Sequence, residues 1–300
     1  MNTTKHDPNT TILLPGGCDA KCGFCFWNRE GASIRPPQDY LMRVSDLWDA
    51  LPPQFRCLSV SGGEPTISPW FGRFLAMLGA YRRRRNRWDR VVLTTHGGRL
   101  AGALEAVGNA VDHINISRHA IGTDENRAVF QSPVLSDDDM AELIARVHSE
   151  TACDVTLNCV VAPDVTVEFC EQFLRYADGL HADAVSFRRI AGSVDPTDAE
   201  RAFVSRYGVV AESRCPVCRG LEQDVDGFRV SWKGSVAEPS LTLGECYEVV
   251  IHPDGRAYAD WGSTMPLYFT TNTYLHAEHT TVRRGQSVVG CGMHRDAGGC

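Results

Sequence analysis

No stretch of this 300-residue chain approaches the roughly 20 consecutive apolar residues that a membrane-spanning helix needs. The first fifteen residues, with Lys5, His6 and Asp7 among them, lack the apolar segment of a secretory signal. These absences speak against a membrane or exported protein, and the expected location is the cytoplasm. An excess of positive charge is missing too. Thirty Lys and Arg against 37 Asp and Glu leave a net charge of −7, which makes a nucleic-acid partner an unfavoured expectation. The one dense basic run, Arg82 to Arg85 with Arg87, closes an amphipathic stretch, where cations suit the helix dipole. A solvated helix end is expected there.

Cysteine, by contrast, is plentiful: there are twelve. Without a secretory signal they point to a reducing compartment and to metal ligation rather than disulfides. Three of them stand in the run CDAKCGFC as Cys18, Cys22 and Cys25, spaced Cys-x3-Cys-x2-Cys. Thiolates this close on one loop suit three irons of a [4Fe–4S] cube and leave the fourth iron open for chemistry. The competing reading, a zinc knuckle in a non-enzymatic metal-binding protein, lacks a fourth ligand nearby. About forty residues later, after an apolar run, comes Ser61-Gly62-Gly63-Glu64-Pro65.

Hydrophobic content of 43% with 22% charged residues fits a globular enzyme of one large domain, or a domain with an appendage. Strands are expected at 10–14, 57–60, 90–95, 111–117, 155–161 and 184–187. Between them lie helical patterns: Tyr40 to Leu51, a helix opening at Ser68-Pro69, one capped by Ser136, and Val167 to Ala177. Alternating strands and helices imply an α/β fold with a parallel sheet, here a partial (β/α)6 barrel over residues 1–190. Ligands of such sheets gather at the carboxyl ends of the strands. That places Thr94, Thr95, His96, Ser117, Arg118, His119, Asn158, Arg188 and Arg189 on the reactive face. His96 and His119 are the catalytic candidates among them.

The cysteine run, Phe24 before its third cysteine, and the Gly62-Gly63-Glu64-Pro65 turn together resemble the radical S-adenosylmethionine (radical SAM) enzymes, over about residues 10 to 190. The resemblance implies that Cys18, Cys22 and Cys25 hold a [4Fe–4S] cluster whose open iron chelates the amino and carboxylate groups of SAM. It further implies that Phe24, Gly62, Gly63 and Glu64 line the cofactor, and that Ser117, Arg118, Asn158 and Arg188 contact its ribose, adenine and carboxylate. The expected activity is reductive cleavage of SAM, with electrons from a flavodoxin- or ferredoxin-type donor, followed by hydrogen abstraction from a substrate. Relatives often carry Asn-Gly where this chain has His96-Gly97.

Residues 191–214 read as a polar, turn-rich junction, and 215–300 as a small cysteine-containing extension. CYEVVIHPDGRAYAD alternates apolar and polar residues around Pro253-Asp254-Gly255, a hairpin pattern. It resembles the first half of a SPASM or twitch domain, which implies a second [4Fe–4S] cluster. Cys246 would open the hairpin, Asp260 stands where a closing cysteine is usual, and Cys291 and Cys300 would complete the set. Cys215 and Cys218 compete as ligands or as a zinc site. Cys57, Cys153, Cys159 and Cys170 are expected in the core, where cysteine packs as a small hydrophobe. Many such proteins modify peptides through a fused leader-binding domain, but only seventeen residues precede Cys18. The expected substrate is therefore a small molecule, nucleotide- or sugar-derived, with a peptide-modifying maturase as the alternative.

Overall fold

The computed structural model describes residues 2–4, 8–25, 35–191, 193, 195–213, 220–234, 248–262, 264–270, 273–277 and 280–281. The first half contains β1 (Asn2–Thr4), β2 (Asn9–Leu14), α1 (Tyr40–Ala50), β3 (Cys57–Gly62), α2 (Phe71–Arg85) and β4 (Arg90–Thr95). After these come α3 (Leu104–Gly108), β5 (His113–Ser117), α4 (Thr123–Phe130), α5 (Asp137–Glu150) and β6 (Asp154–Val161). The second half adds α6 (Val167–Gly179), β7 (Ala184–Arg189), α7 (Asp198–Tyr207), β8 (Ala211–Ser213), β9 (Leu221–Val225) and β10 (Phe228–Lys233). The last elements are β11 (Glu248–Ile251), β12 (Ala257–Tyr258), β13 (Tyr268–Thr270), β14 (Thr273–Ala277) and β15 (Thr280–Thr281). Among the described residues, no helix is long and apolar enough to cross a membrane.

Twelve strands form one open sheet in the order β1-β8-β9-β10-β7-β6-β5-β4-β3-β2-β11-β12. From β10 to β11 every neighbouring pair is parallel. The six strands expected from the sequence make the middle of that run. β10 and β11, from the region read as an extension, add a parallel strand at each edge, and β9 and β12 follow antiparallel.

The two faces of the sheet differ in chemistry. Ile12, Leu14, Leu58, Val60, Val91, Leu93, Ile114, Ile116, Leu157 and Phe187 are buried in one core beneath the helices. Alternation sends their neighbours Thr11, Ser59, Thr94, Asn115, Asn158 and Ser186 to the opposite face. A parallel sheet covered by apolar layers on both sides would read as unbroken hydrophobic strands. A polar inner face instead suits the wall of a ligand-holding barrel.

Helix α1 shows the outer packing. Tyr40, Val44 and Trp48 are its buried stripe, and Trp48 meets Phe74, Tyr81 and Trp88 edge-on at ring distances of 5.0 to 5.9 Å. The basic run at the end of α2 is partly solvated and partly pinned. Arg82 bonds the Ala110 carbonyl and Asp112, Arg85 reaches Asp49, and Arg87 donates to the carbonyls of Leu51 and Pro52. All of this lies at the amino ends of the strands.

Two departures from the expected elements have local causes. Helix α2 starts at Phe71 rather than at Ser68-Pro69, because Ser68 Oγ donates to the Pro15 carbonyl and accepts from the Trp70 amide at 3.2 Å. The segment read as a junction contains α7, which starts at an N-cap threonine. Thr197 Oγ1 accepts from the Glu200 amide at 3.1 Å. Cys153, Cys159 and Cys170 are free and buried as expected. Cys57 is buried but disulfide-bonded, not the packed free thiol the sequence suggested.

Candidate active site

The cysteine loop leaves the carboxyl end of β2 and is folded against the turn that ends β3. Leu14 and Gly62 are register partners. The Glu64 amide donates to the Gly17 carbonyl at 3.1 Å, so the two loops share a backbone hydrogen bond. A Cβ on Gly63 would lie 2.3 Å from that same carbonyl oxygen, and Gly62 has φ +135° with its missing Cβ 2.8 Å from the Leu14 oxygen. The paired glycines therefore let one backbone lie directly on another.

Glu64 is 3% exposed and held on every side. Its Oε1 accepts from the Thr66 amide at 3.0 Å, from Thr66 Oγ1 at 2.6 Å and from Thr95 Oγ1. Its Oε2 accepts from the His96 amide at 2.8 Å. His96 Nε2 lies 3.5 Å from the same oxygen and 2.8 Å from Asp19 Oδ1, inside the cysteine loop. Donors of this kind fix the direction of the carboxylate. One hydrogen-bonded unit thus runs from the thiol loop through Asp19 and His96 to Glu64.

Cys18, Cys22 and Cys25 are each half-buried, and the Cys25 amide donates to the Cys22 carbonyl at 3.0 Å. Burial, with carboxylates and Cys25 nearby, pushes the Cys18 thiol up to about 12, and burial with Cys25 pushes Cys22 to about 11. Such thiols stay protonated until a cationic centre displaces their protons. No three His, Cys, Asp or Glu side chains among the described residues converge on a single ion. A cube does not ask them to, since each thiolate meets a different iron. Three accessible thiols on one loop, beside a caged carboxylate, fit a [4Fe–4S] cluster with one open iron.

Phe24 and His119 form the next layer. Their rings meet edge-on at 4.9 Å, and His119 stacks on Phe130 at 5.0 Å. His119 Nδ1 accepts from the Val160 amide at 3.1 Å. Burial, reinforced by Arg118, lowers the His119 pKa to about 3, so the ring is neutral near pH 7. The Lys21 amide donates to the Phe130 carbonyl at 2.7 Å, which ties the cysteine loop to the end of α4.

Ser117 and Asn158 are register partners on the inner face. The Asn158 Oδ1 is buried without a hydrogen-bond partner. Arg118 turns away from them: it is 1% exposed, its Nη2 donates to the Leu135 carbonyl at 2.7 Å, and burial lowers its pKa. Arg188 lies on β7, four strands from β3 in sheet order. Asp260 is half-buried after β12. Its Oδ1 accepts from the Gly262 amide at 2.9 Å, and its carbonyl faces His252 Nε2 at 3.2 Å. Cys215, Cys218, Cys246, Cys291 and Cys300 lie outside the described residues.

Sequence reasoning missed four residues of this constellation: Asp19, Thr95 as a Glu64 donor, Phe130, and Asn126. Asn126 is fully buried and holds the loop after β5, accepting from the amides of His119 and Ala120 and donating to the carbonyls of Ala120 and Gly122. Nothing local marks Asn126 or Phe130, because only the fold brings α4 to the cysteine loop.

Residues 12–177, more than half of the chain, match the model of the radical SAM superfamily. The chain belongs to that superfamily. It is an enzyme family that binds SAM, and the family implies a [4Fe–4S] cluster. A stretch of 107 residues is 32% identical to GTP 3′,8-cyclase of Rhodobacter capsulatus, covering 35% of this chain and 30% of that protein. The chain thus spans less than a third of that curated relative. Among solved structures, Streptococcus suis SuiB bound to SAM superposes with a TM-score of 0.58 at 15% identity, over 91% of this chain and 63% of that one. Native anSMEcpe with SAM and a peptide gives a TM-score of 0.54 at 13% identity, over 86% and 75% of the two chains. At these identities the likeness concerns the radical SAM fold.

Proposed function

We propose that this radical SAM enzyme cleaves SAM reductively and abstracts hydrogen from a small-molecule substrate, nucleotide- or sugar-derived, in a specialised biosynthetic pathway. The observation that carries the reading is the hydrogen-bonded unit joining the cysteine loop to Glu64. It fixes a carboxylate beside the loop of Cys18, Cys22 and Cys25. The nucleotide part draws support from the stretch similar to GTP 3′,8-cyclase. Cys18, Cys22 and Cys25 would hold the cluster, which, with a flavodoxin- or ferredoxin-type donor, would supply the electron for reductive cleavage of SAM.

The chain's own residues bind, orient and exclude water. Glu64 takes the cationic amino group of the methionine moiety, its geometry set by Thr66, Thr95 and the His96 amide. Gly62 and Gly63 leave room for the loops to touch. Ser117 and Asn158 offer polar atoms toward the ribose. Phe24, His119 and Phe130 form an apolar wall that keeps water from a reactive radical. His96 acts as a positioning residue through Asp19 and Glu64, and His119 as a neutral part of the wall. A second [4Fe–4S] cluster held by Cys246, Cys291 and Cys300, with Asp260 as a weak ligand, would assist in substrate binding, electron transfer or sulfur donation. One Asp260 oxygen serves the Gly262 amide, which leaves the other for a ligand.

The test is anaerobic reconstitution with iron and sulfide, reduction by dithionite, and measurement of 5′-deoxyadenosine and methionine. Wild-type protein should form both, and the triple Cys18→Ala, Cys22→Ala, Cys25→Ala variant neither. A triple variant that still cleaves SAM would sink the assignment.

A further inference from the structure

The cysteine loop has two flanks. Toward β5, Phe24 meets His119 edge-on at 4.9 Å, and His119 stacks on Phe130. The other flank is built from beyond residue 190, because β11 pairs with β2 on the side away from β3. There Leu13 and Val250, both fully buried, form an apolar spot separate from the main core. Alternation explains the separation. Ile12, Leu14, Val249 and Ile251 join the core beneath the helices, so Leu13 and Val250 face the inner side. Two partly buried side chains pack on this spot: Cys25 of the cysteine loop and Trp261, which follows β12.

Trp261 is held along its backbone and at its indole. The Asp260 carbonyl accepts from His252 Nε2 at 3.2 Å, and the Gly262 amide donates to Asp260 Oδ1 at 2.9 Å. The indole N–H reaches Glu248. Burial raises the Glu248 pKa, and hydrogen bonds from Thr11, Asn9 and Trp261 oppose the rise. Glu248 is fixed in turn. It accepts from Thr11 Oγ1 at 2.5 Å, Thr11 Oγ1 accepts from Asn9 Nδ2 at 2.9 Å, and Asn9 Oδ1 accepts from Ser59 Oγ at 3.2 Å. A polar chain across β3, β2 and β11 therefore sets where the ring lies. A tryptophan so placed buries a large apolar area while its N–H keeps a partner.

Solvent access is one of the levers on the potential of an iron–sulfur group. Reduction adds a negative charge to a cube that its thiolate ligands already make anionic. Water favours the more highly charged form, so a dry surround lowers the potential. We propose that Trp261 closes the β11 flank of the cluster site, on the same apolar spot as Cys25, excluding water and keeping the reduction potential low. This rests on the function given above and adds to it a residue from the second half of the chain. A low potential makes the electron a stronger reductant, which cleavage of a sulfonium bond demands.

Redox titration of the reconstituted holoprotein, followed by the paramagnetic signal of the reduced cube, tests this. The signal to follow is the one absent from the triple Cys18→Ala, Cys22→Ala, Cys25→Ala variant. Trp261→Ala should make that cube about tenfold easier to reduce, a rise of about 59 mV for one electron. Trp261→Phe, which keeps an aromatic ring, should recover more than half of the shift. Val250→Thr nearly keeps the shape and adds a hydroxyl to the same spot, so it should move the potential in the same direction. Trp261→Ala decides where it loads its cluster, and Val250→Thr decides where it does not. A deciding variant that titrates at or below the wild-type potential refutes the role, even if its melting temperature falls, since Trp261 is then only a packing residue. A wild type with no signal that the triple variant removes would overturn the proposed function itself, and the Trp261 role with it.

Discussion

A methyl group on Gly63 would sit 2.3 Å from the Gly17 oxygen and 3.1 Å from the Cys18 nitrogen, both backbone atoms that cannot swing aside. Gly63→Ala must therefore push the Glu64 turn off the cysteine loop. The expected result is iron content after reconstitution well below wild type, with helix content by circular dichroism unchanged. Full iron loading in that variant would show that the loops need not touch. His119 makes a different single-residue case. Its folded pKa of about 3 lies below the ordinary value of 6.5, so between these values the unfolded chain holds a proton that the folded one does not. Its contribution is complete above about pH 6.5 and is lost as pH falls toward 3. Denaturant titrations from pH 7 to 4.5 should show His119→Asn losing stability less steeply than wild type, by up to about 1.4 kcal/mol per pH unit. Equal slopes would mean that the ring is not buried neutral.

Elements here are fastened by a few buried polar links as well as by apolar packing. Arg189, at the end of β7, donates to Glu200 of α7 through Nε at 2.8 Å and Nη2 at 2.6 Å, with side chains 4% and 1% exposed. The Thr197 N-cap that starts α7 sets Glu200 in place, so a local sequence signal ends in a long-range contact. Removing one partner of such a pair strands a buried charge at a cost of about 3–5 kcal/mol. Glu200→Ala should lower the denaturation midpoint accordingly, and Arg189→Met with Glu200→Leu should recover a large share. A Glu200→Ala protein as stable as wild type would show that water reaches the guanidinium. The hairpin of β11 and β12 follows turn chemistry more simply. Gly255 has φ +74°, and its amide donates to the His252 carbonyl at 2.9 Å.

At the scale of the whole molecule, β8 to β12 from the described residues after 190 join the twelve-stranded sheet, while β13 to β15 pair in a second sheet of three strands. β10 lies beside β7 and β11 beside β2, so both edges of the six-stranded core are extended by the second half of the chain. Through them come Lys233 and Glu248, the latter accepting from Thr11 Oγ1 at 2.5 Å. The proposed second cluster is tested by iron content. Reconstituted wild type should hold about eight irons and the triple cysteine variant about four, each cube contributing four. Four in wild type and none in the variant would remove the second cluster.

Much of the core was legible because its signals are local. Period-two and period-3.6 patterns located β2 to β7 and α1, α2, α5 and α6 to within a few residues. The cysteine spacing and the paired glycines are consecutive residues of one loop or turn, so the thiol loop and Glu64 could be named before any fold was known. The alternation of strands such as Thr-Ile-Leu-Leu and Asn-Ile-Ser also contained the polar inner face. What only the tertiary structure decided involves partners far apart in the chain. Asp19 meets His96 across 77 positions, and Thr11 meets Glu248 across 237. Phe130 reaches the cysteine loop through one backbone hydrogen bond, and Arg118 turns from the inner face toward Leu135. Such choices follow from which loops a parallel sheet brings to its carboxyl edge, and strand order is not written in any single stretch of sequence.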